Sequence, residues 1–418
     1  MSKKEFMKKL SRELDKLPKG EREKTLAYYD ELIEDRKEAG STEEAAVDAM
    51  GDVKTIASDI LTDAKERGVE LKRRGMPVGA KIAVIIVSVL VGLSLIGGIV
   101  WAAFVATGFK EVGEFRQVIK EYEISNDGHI DVNFSQYDLY LGQSEDEKVH
   151  ISYYENEDLM TFTVAHDEEH ISLVQSQKWY AWMFFNKGNR QAVIQVPASF
   201  TGSIRTTVST GDTRVDGLVS PTELDIGGAT GDVIVYDTKS DSARFHATTG
   251  DLIIGRCSFA EDLSAACTTG DINLEHTSAK NMTVKVSTGD IEIQTVASLD
   301  FIIYGTTGDV TVEELNAGSA EIGCSTGDIN LKKITVDKLY AHLTTGEIVL
   351  NDVDAKDIEL KSTTGSINGS LVGSITDYTI ESHVSTGKCN LPDGFGSGER
   401  KLKVTATTGD IRISFMQD

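Results

Sequence analysis

The sequence predicts a multidomain protein whose largest part is an all-β β-solenoid, and three observations lead to this prediction. First, a Thr-Gly pair recurs eleven times at a spacing of 19 or 20 residues, which widens to 22 in the last two steps. Second, apolar and polar residues alternate on both sides of every pair. Third, the alternation changes phase at the glycine, so the chain must turn there. The glycines are Gly211, Gly231, Gly250, Gly270, Gly289, Gly308, Gly327, Gly346, Gly365, Gly387 and Gly409.

Each repeat offers two or three short strands with one inward face. The position seven residues before the glycine is apolar in all eleven repeats, and the positions two and four after it are apolar in most. A further apolar position lies seven residues after the glycine in several repeats. One repeat cannot bury its own apolar row. We therefore expect residues 201–418 to stack strand above equivalent strand, with about 20 residues per turn and a rise of about 4.8 Å.

The residue after the glycine is Asp in eight repeats, and Glu347, Ser366 and Lys388 replace it in the others. Stacking in register places these carboxylates about 4.8 Å apart. Bare charges at that distance repel by roughly 1 kcal/mol in water. Hydrogen bonds from Thr hydroxyls and turn amides would offset the repulsion, and so would a row of bound cations. Each repeat has one carboxylate and one or two hydroxyls, which favours the hydrogen-bonded turn.

The charge of the chain is distributed unevenly. The formal charge of the 418 residues is −24, from 42 Lys and Arg and 66 Asp and Glu. Residues 1–81 hold 18 of each kind, so the whole acidic excess lies after residue 81. Such acidity argues against nucleic acid or an anionic membrane surface as the direct partner of the repeats.

Four cysteines are too few for a disulfide scaffold. Cys257, Cys267, Cys324 and Cys389 all occupy inward positions of the repeats. We expect them to be buried, reduced thiols that pack as small apolar residues.

Residues 1–75 are predicted to form a small all-α bundle. Capping boxes begin at Ser2 and Ser41, and Asp52 is placed to cap a last helix. Apolar residues recur at helical spacing between these signals, and Gly40 and Gly51 stand where helices end. These residues alone predict a helical bundle without a catalytic site.

These residues also resemble the HAAS family of helical signalling domains. The resemblance lies in the order of Leu17-Pro18, Tyr28-Tyr29-Asp30, Gly40-Ser41-Thr42-Glu43-Glu44 and Met50-Gly51-Asp52. Met50, and Asp52-Val53 after Gly51, depart from the usual family pattern. The resemblance implies a cytoplasmic domain that acts with a PadR-like winged-helix transcription regulator, without binding DNA itself. It also makes Tyr28, Tyr29, Asp30, Gly40 and Gly51 the candidate partner-binding residues.

Residues 82–107 are predicted to be a single transmembrane helix. They contain no charged residue over 26 positions, which is long enough to span a bilayer. Lys and Arg are more frequent before this segment than after it, which places the N-terminus in the cytoplasm and the solenoid outside. Ser94, Gly98, Ala102 and Ala106 form a small-residue stripe that either pairs two helices or faces lipid.

Residues 110–200 are not repetitive, and we expect a β-rich cap on the membrane-proximal end of the solenoid. An aromatic cluster at 179–185 fills the core of this cap, sits at the bilayer interface or docks a ligand.

His166-Asp167-Glu168-Glu169-His170 matches the H-x-x-E-H metalloprotease pattern, which requires a helix. Because strand-like residues flank it, we interpret it as a hairpin turn. No catalytic or metal site and no cofactor is predicted.

The repeats resemble the bacterial adhesin-type family of β-strand repeats over roughly residues 115–418. The two resemblances together imply a cell-membrane protein that senses envelope stress or an extracytoplasmic ligand and acts on a PadR-like regulator. The alternative is a structural or adhesive β-solenoid on the surface, for which the helical domain and membrane segment serve only as an anchor.

Overall fold

The computed structural model describes residues 1–69, 94, 98, 113–181 and 191–416. The chain divides into two compact units, Met1–Lys110 and Glu111–Asp418. The segment 82–107, with Ala102 and Ala106, lies outside the described residues except for Ser94 and Gly98, which are helical. Within the described part of the chain, no helix has both the length and the apolar character needed to cross a bilayer.

Residues 1–69 of the first unit contain four α-helices around a small apolar core, as the sequence predicts. Ser2 and Asp52 cap helices by accepting hydrogen bonds from the amides of Glu5 (3.3 Å) and Thr55 (3.1 Å). The third helix is capped by Thr42, one residue later than expected, which accepts from the amide of Ala45 at 3.4 Å. The helices are α1 (Lys3–Glu13), α2 (Lys19–Glu38), α3 (Glu43–Asp48) and α4 (Val53–Glu66), with a 3₁₀ turn at Leu14–Lys16. The fully buried residues include Phe6, Leu10, Leu14, Leu17 and Ile33.

The second unit is a β-solenoid, which confirms that part of the predicted fold class. Its strands are β1 (Arg116–Tyr122), β2 (His129–Phe134), β3 (Asp138–Gln143), β4 (Val149–Glu155), β5 (Met160–His166), β6 (His170–Gln177), β7 (Gln191–Val196), β8 (Ser203–Thr210), β9 (Thr213–Asp216), β10 (Glu223–Thr230), β11 (Val233–Tyr236), β12 (Lys239–Ser240), β13 (Ser242–Thr249), β14 (Leu252–Gly255), β15 (Ser258–Phe259), β16 (Asp262–Thr269), β17 (Ile272–Thr288), β18 (Ile291–Thr307), β19 (Val310–Thr326), β20 (Ile329–Thr345), β21 (Ile348–Thr364), β22 (Ile367–Val372), β23 (Tyr378–Thr386), β24 (Arg400–Thr408) and β25 (Ile411–Met416). A short 3₁₀ turn at Ile375–Asp377 precedes β23.

Successive turns of the solenoid, here called coils and named by their glycines, pair in parallel and in register. Equivalent residues 19 positions apart face each other, as with Ile291 and Val310 in β18 and β19. The residue seven before the glycine is buried in all eleven coils, as are most of the other predicted inward positions. One continuous apolar core therefore runs along the axis, with each coil burying the apolar row of the next.

A side chain at the glycine of any of the eleven coils would be strained, for two reasons. Its φ lies between 127° and 145° in all eleven coils, a region that L-residues rarely adopt. A Cβ added there would also lie only 1.7–2.5 Å from a backbone carbonyl oxygen of the neighbouring layer. At Gly308 that oxygen belongs to Gly289, and the Gly308 amide in turn donates to the carbonyl of Thr326 at 3.0 Å.

A second corner lies six residues after the glycine, and the sequence did not reveal it. In seven consecutive coils a non-glycine residue there has a left-handed φ between 47° and 62°. These residues are Asp237, Arg256, His276, Thr295, Glu314, Lys333 and Asp352. Two contacts between coils support this corner: Arg256 binds Asp237 through two hydrogen bonds of 2.8 and 2.7 Å, and Lys333 binds Glu314 at 2.7 Å. The Arg256 guanidinium lowers the pKa of the Asp237 carboxyl.

The N-terminal cap contains two further layers, so the expectation that residues 110–200 are entirely non-repetitive is corrected. Strands β2 and β3 pair in register with β8 and β9 and form a coil of their own. Strands β6 and β7 stack on the outside of β2 and β3. Tyr137 takes the place of the glycine in this hidden coil, and the following Asp138 accepts a hydrogen bond from the amide of Asp212 at 3.0 Å. The outer strands β1, β4 and β5 are antiparallel to their neighbours.

At the other end, the stacking order departs from the order of the chain. Strands β24 and β25 of the Gly409 coil pair with β21 and β22 of the preceding layer. Strand β23 of the Gly387 coil pairs with the opposite edge of β24 and is therefore outermost. These two steps span 22 residues each instead of 19 or 20. The additional residues allow the chain to cross one layer, form the outermost coil and then return to the layer beneath it. Arg400, at the start of the inserted strand, contacts both flanking layers, through Asp354 (2.5 Å) and the hydroxyl of Tyr378 (3.4 Å).

Replacement of Gly308 by Ala tests the glycine column. The new Cβ would meet the Gly289 carbonyl oxygen at 2.0 Å and would strain a φ of 132°. We expect a loss of about 3 kcal/mol or more in the free energy of unfolding, measured by denaturant titration with circular dichroism in the β region. Thr306→Ala, at an exposed position two residues away, is the matched control and should change stability by less than about 0.5 kcal/mol. Equal stability of the two variants would contradict the proposed constraint.

Candidate functional site

The helical domain exposes two of its three predicted partner-binding side chains, Tyr28 and Asp30, to solvent. Tyr28, on α2, is 59% exposed. The neighbouring Tyr29 turns inward, with its ring centroid 6.4 Å from that of Phe6, and burial raises the pKa of its hydroxyl. The two tyrosines meet edge to face at 5.4 Å. Tyr28 is therefore an exposed aromatic residue whose ring contacts the inward-facing Tyr29. Exposed aromatic residues are enriched at protein interfaces.

Asp30 has an internal partner. Its carboxylate lies 2.8 Å from Nζ of Lys3, which also contacts Glu34 at 2.6 Å. The hydrogen bond from Lys3 lowers the pKa of Glu34. Because Lys3 begins α1 and both carboxylates lie on α2, these ion pairs hold the two helices together.

Gly40 and Gly51 lie at helix ends. Gly40 has φ 98°, and the amides of Gly40 and Ser41 donate to the carbonyls of Lys37 (3.0 Å) and Arg36 (3.1 Å). This is the Schellman arrangement that closes a helix. Gly51 has φ 96° and directly precedes the capping residue Asp52. Both glycines set the path of the chain between helices, and their assignment as partner-binding residues stays a prediction.

The aspartate column of the solenoid is a hydrogen-bonded ladder. Each carboxylate accepts a hydrogen bond from the backbone amide of the equivalent residue in the next coil. Seven such steps, from Asp212 to Glu347, have N–O distances between 2.7 and 3.0 Å. The donors are turn amides, one of the two donor types that the sequence suggested. Hydrogen bonds from N–H groups to carboxylates are stronger than those between neutral groups.

Other hydrogen bonds connect the coils where a different residue replaces the aspartate. Glu347 is one methylene longer, and its carboxylate accepts a hydrogen bond from the side-chain amide of Asn368. In the exchanged layers, the Ser366 hydroxyl accepts from the amide of Asp410 at 3.3 Å, and Asp410 accepts from the amide of Lys388 at 2.8 Å. The contacts thus follow the spatial order of the coils rather than their order in the sequence.

The H-x-x-E-H segment forms the predicted hairpin turn. His166 ends β5 and His170 begins β6, and the two strands are antiparallel. The imidazole of His166 contacts the carbonyl of Glu123 at 2.8 Å, whereas His170 contacts the carboxylate of Asp131 at 3.1 Å. The two histidines therefore point to different partners. In the part of the chain that the structure describes, no group of three or more His, Cys, Asp or Glu is arranged to hold a metal ion.

The cysteines and the aromatic cluster depart in part from the prediction. Cys257, Cys267 and Cys324 are buried, but Cys389 is exposed. The reason is the exchange of the last two coils, which leaves the Gly387 coil at the end of the stack with no further coil over it. Trp179 of the aromatic cluster is 71% exposed and does not fill the cap core. Residues 182–185 of that cluster lie outside the described residues.

The parallel coils, the glycine corner and the cap together define a capped β-solenoid in a chain that also contains a small helical domain. Residues 128–297 and 261–414 match the family described as Toastrack DUF4097. These two matches span more than half of the chain, and the protein belongs to this family. Residues 5–59 match the HAAS family. A comparison with curated proteins gave no match.

Several solved structures resemble the solenoid at low sequence identity. One from Parabacteroides merdae, described as a "putative adhesin", is 12% identical, with 72% of this chain and 96% of that chain covered and a TM-score of 0.29. A "putative adhesin" from Bacteroides fragilis is 14% identical, with coverage of 72% and 97% and a TM-score of 0.25. A "putative lipid binding protein" from Parabacteroides distasonis is also 14% identical, with coverage of 72% and 97% and a TM-score of 0.28.

Variants of Asp290 distinguish an amide ladder from a metal site. Asp290 accepts a hydrogen bond from the amide of Asp309 at 2.8 Å. Asp290→Ala removes the acceptor and should lower the free energy of unfolding by about 1 kcal/mol, whereas Asp290→Asn keeps an oxygen acceptor and should lower it less. The melting temperature of the unmodified chain should be the same in chelator and in millimolar calcium. A clear rise with calcium, abolished in Asp290→Asn, would identify a metal site instead.

Proposed function

We propose that this protein is a single-pass membrane sensor. Its β-solenoid lies outside the cytoplasm and responds to envelope stress or a ligand, and its helical domain acts on a PadR-like transcription regulator in the cytoplasm. The observation that carries the proposal is the combination, on one chain, of a HAAS-family domain, an uncharged segment of 26 residues and a Toastrack-family solenoid. No catalytic role is assigned to any residue.

The charge pattern supports the membrane part of the proposal. Residues 82–107 contain no charged side chain, and Lys72, Arg73, Arg74 and Lys81 precede them. A segment of this length and composition is typical of a transmembrane helix, and the basic residues on its N-terminal side favour a cytoplasmic N-terminus. The acidic excess lies entirely on the other side of the segment, in the part assigned to the exterior.

The exposed ring of Tyr28 supports the regulatory part. The four helices have their own apolar core, and ion pairs from Lys3 fix α1 against α2. An exposed aromatic side chain on such a rigid helix provides contact area at a small cost in side-chain entropy. We assign Tyr28 as the centre of the regulator-binding surface.

The native cysteines provide a test of topology. Burial raises the pKa of Cys257 to about 11 and also raises the pKa values of Cys267 and Cys324, so these three thiols stay protonated and shielded at neutral pH. Cys389 is exposed. A membrane-impermeant maleimide added to intact, wall-stripped cells should therefore label Cys389 alone, and Cys389→Ser should abolish the labelling. Labelling that appears only after lysis would place the solenoid in the cytoplasm and refute the topology.

Capture of the regulator tests the cytoplasmic part. Full-length chain purified from its own cells in mild detergent should retain a PadR-like winged-helix protein, identified by mass spectrometry. Tyr28→Ala should reduce the recovery at least tenfold, a loss of about 1.4 kcal/mol or more that is typical of an interface hot spot. Glu23→Ala is the control, since Glu23 is exposed on the same helix but displaced from Tyr28 by about 140° around its axis. Normal surface exposure of Cys389 without any captured regulator would favour the adhesive or structural alternative.

A further inference from the structure

Trp179 has the highest fractional exposure of the large hydrophobic side chains in the described part of the chain, at 71%. It lies in the connection from β6 to β7, and its ring meets that of Tyr180 edge to face at 5.7 Å. Single exposed apolar side chains are common on protein surfaces. A tryptophan ring, however, has a large apolar surface whose removal from water is favourable. The exposed indole is therefore suited to a partner outside the fold.

Both neighbours of Trp179 are bound to one turn of the cap, the turn that joins β4 to β5. Nζ of Lys178 donates a hydrogen bond to the carbonyl of Glu157 at 3.0 Å. The hydroxyl of Tyr180 donates to the carbonyl of Asp158, also at 3.0 Å. The position of the exposed indole is therefore set by this turn.

The same turn binds the chain shortly after the uncharged segment 82–107. The amide of Gly113 donates to the carboxylate of Asp158 at 3.5 Å, and the carbonyl of Gly113 accepts from the side-chain amide of Asn156. Gly113 lies six residues after the end of the segment, a stretch that reaches at most about 22 Å. If the segment spans a bilayer, the turn that holds Gly113 lies close to the membrane surface, and so does Trp179.

The surface around Trp179 is not basic. Glu157 in the turn and Glu114 beside Gly113 are acidic and exposed. The ammonium of Lys178 already binds a backbone carbonyl. Electrostatic attraction to anionic lipid headgroups therefore does not explain a membrane contact at this position.

Aromatic composition distinguishes the connection between β6 and β7. Residues 178–190 include five aromatic residues and no Asp or Glu. Of these, 182–190 lie outside the described residues. Trp and Tyr are enriched at membrane–water interfaces, because the ring is apolar while its N–H or O–H group can bind to water or a headgroup. An exposed indole close to the membrane segment therefore fits the interfacial zone of a zwitterionic bilayer.

We propose that Trp179 lies in the interface of the bilayer that the chain crosses, with its ring between the headgroups and the acyl chains. The partner is a zwitterionic lipid surface. The inference rests on the membrane topology proposed above and adds a second attachment of the solenoid to the membrane. Because the covalent link before Gly113 and the indole of Trp179 hold the cap at two points, the tilt of the solenoid on the membrane is restricted.

Depth-dependent quenching of fluorescence in proteoliposomes tests the contact. The chain has three tryptophans, Trp101, Trp179 and Trp182. Full-length chain with Trp101→Phe and Trp182→Phe keeps Trp179 alone and is reconstituted in phosphatidylcholine brominated either in the upper part of the acyl chains or near their ends. We expect a loss of Trp179 fluorescence that is larger with the upper bromines and unchanged by salt, since the contact is apolar.

Three outcomes would overturn the proposal. Emission that neither lipid quenches, and that acrylamide reduces freely, would place the ring of Trp179 in water. Stronger quenching by bromines near the chain ends would place it in the hydrocarbon core. Quenching that appears only after anionic lipid is added would identify an electrostatic headgroup contact instead.

Two matched variants separate this inference from the topology on which it rests. Trp179→Phe with Trp182→Phe keeps Trp101, inside the uncharged segment, and bromolipid should quench it. If Trp101 is not quenched, the proposed topology fails; if Trp101 is quenched and Trp179 is not, only the interfacial contact fails.

The second variant reports on the other end of the stack. Phe395 is 37% exposed and pairs with Ile380 in the outermost strand β23, roughly 50 Å from the cap when eleven coils are counted at the strand spacing. Phe395→Trp, in a chain whose native tryptophans are all replaced by Phe, should not be quenched by either lipid. Equal quenching at this position would show that the solenoid contacts vesicles without preference, and it would refute the assignment of Trp179.

Discussion

The solenoid depends on the absence of a side chain at one corner of each of the eleven glycine coils. The carbonyl oxygen of one turn glycine occupies the space where a Cβ on the next glycine would lie. This close approach brings the following aspartate within hydrogen-bond distance of the amide above it, and it aligns the strands on both sides of the corner. The apolar columns and the carboxylate ladder keep their register because the glycine corner recurs in eleven coils. Stability of such an array is a sum of contacts between nearest neighbours.

The sequence predicted the solenoid well because its signals are local and repeated. Apolar columns and turn glycines depend only on spacing within each repeat, and the structure has them where they were expected. The second corner was missed because six residue types adopt its left-handed backbone at seven positions, so no single residue type marks it. The hidden coil was missed because Tyr137 stands where the glycine is expected. Asp138, followed by Leu139 and Leu141, was the signal that could have found it.

The order of the last coils could not be read from a single sequence. Leu402 pairs with Ile358 on one side and with Ile380 on the other, and the same residue types line all three positions. The local apolar pattern is therefore compatible with either order of the last two coils. Only the 22-residue spacing of their glycines indicated a change. The same holds for the candidate partner surface, because Tyr28 is an ordinary residue in the sequence and only the three-dimensional arrangement shows that its ring is exposed.

The exchanged coils also have a consequence for how the protein is made. Strands β24 and β25 follow β23 in the sequence, but the layer that they form lies beneath the outermost coil, which contains β23. During synthesis, β23 leaves the ribosome before the strands that must lie beneath it. The C-terminal end of the solenoid therefore cannot close until residues 400–416 have emerged, and a nascent chain that stops short of them leaves a gap in the array. Folding of this end therefore waits for residues 400–416 and does not proceed coil by coil.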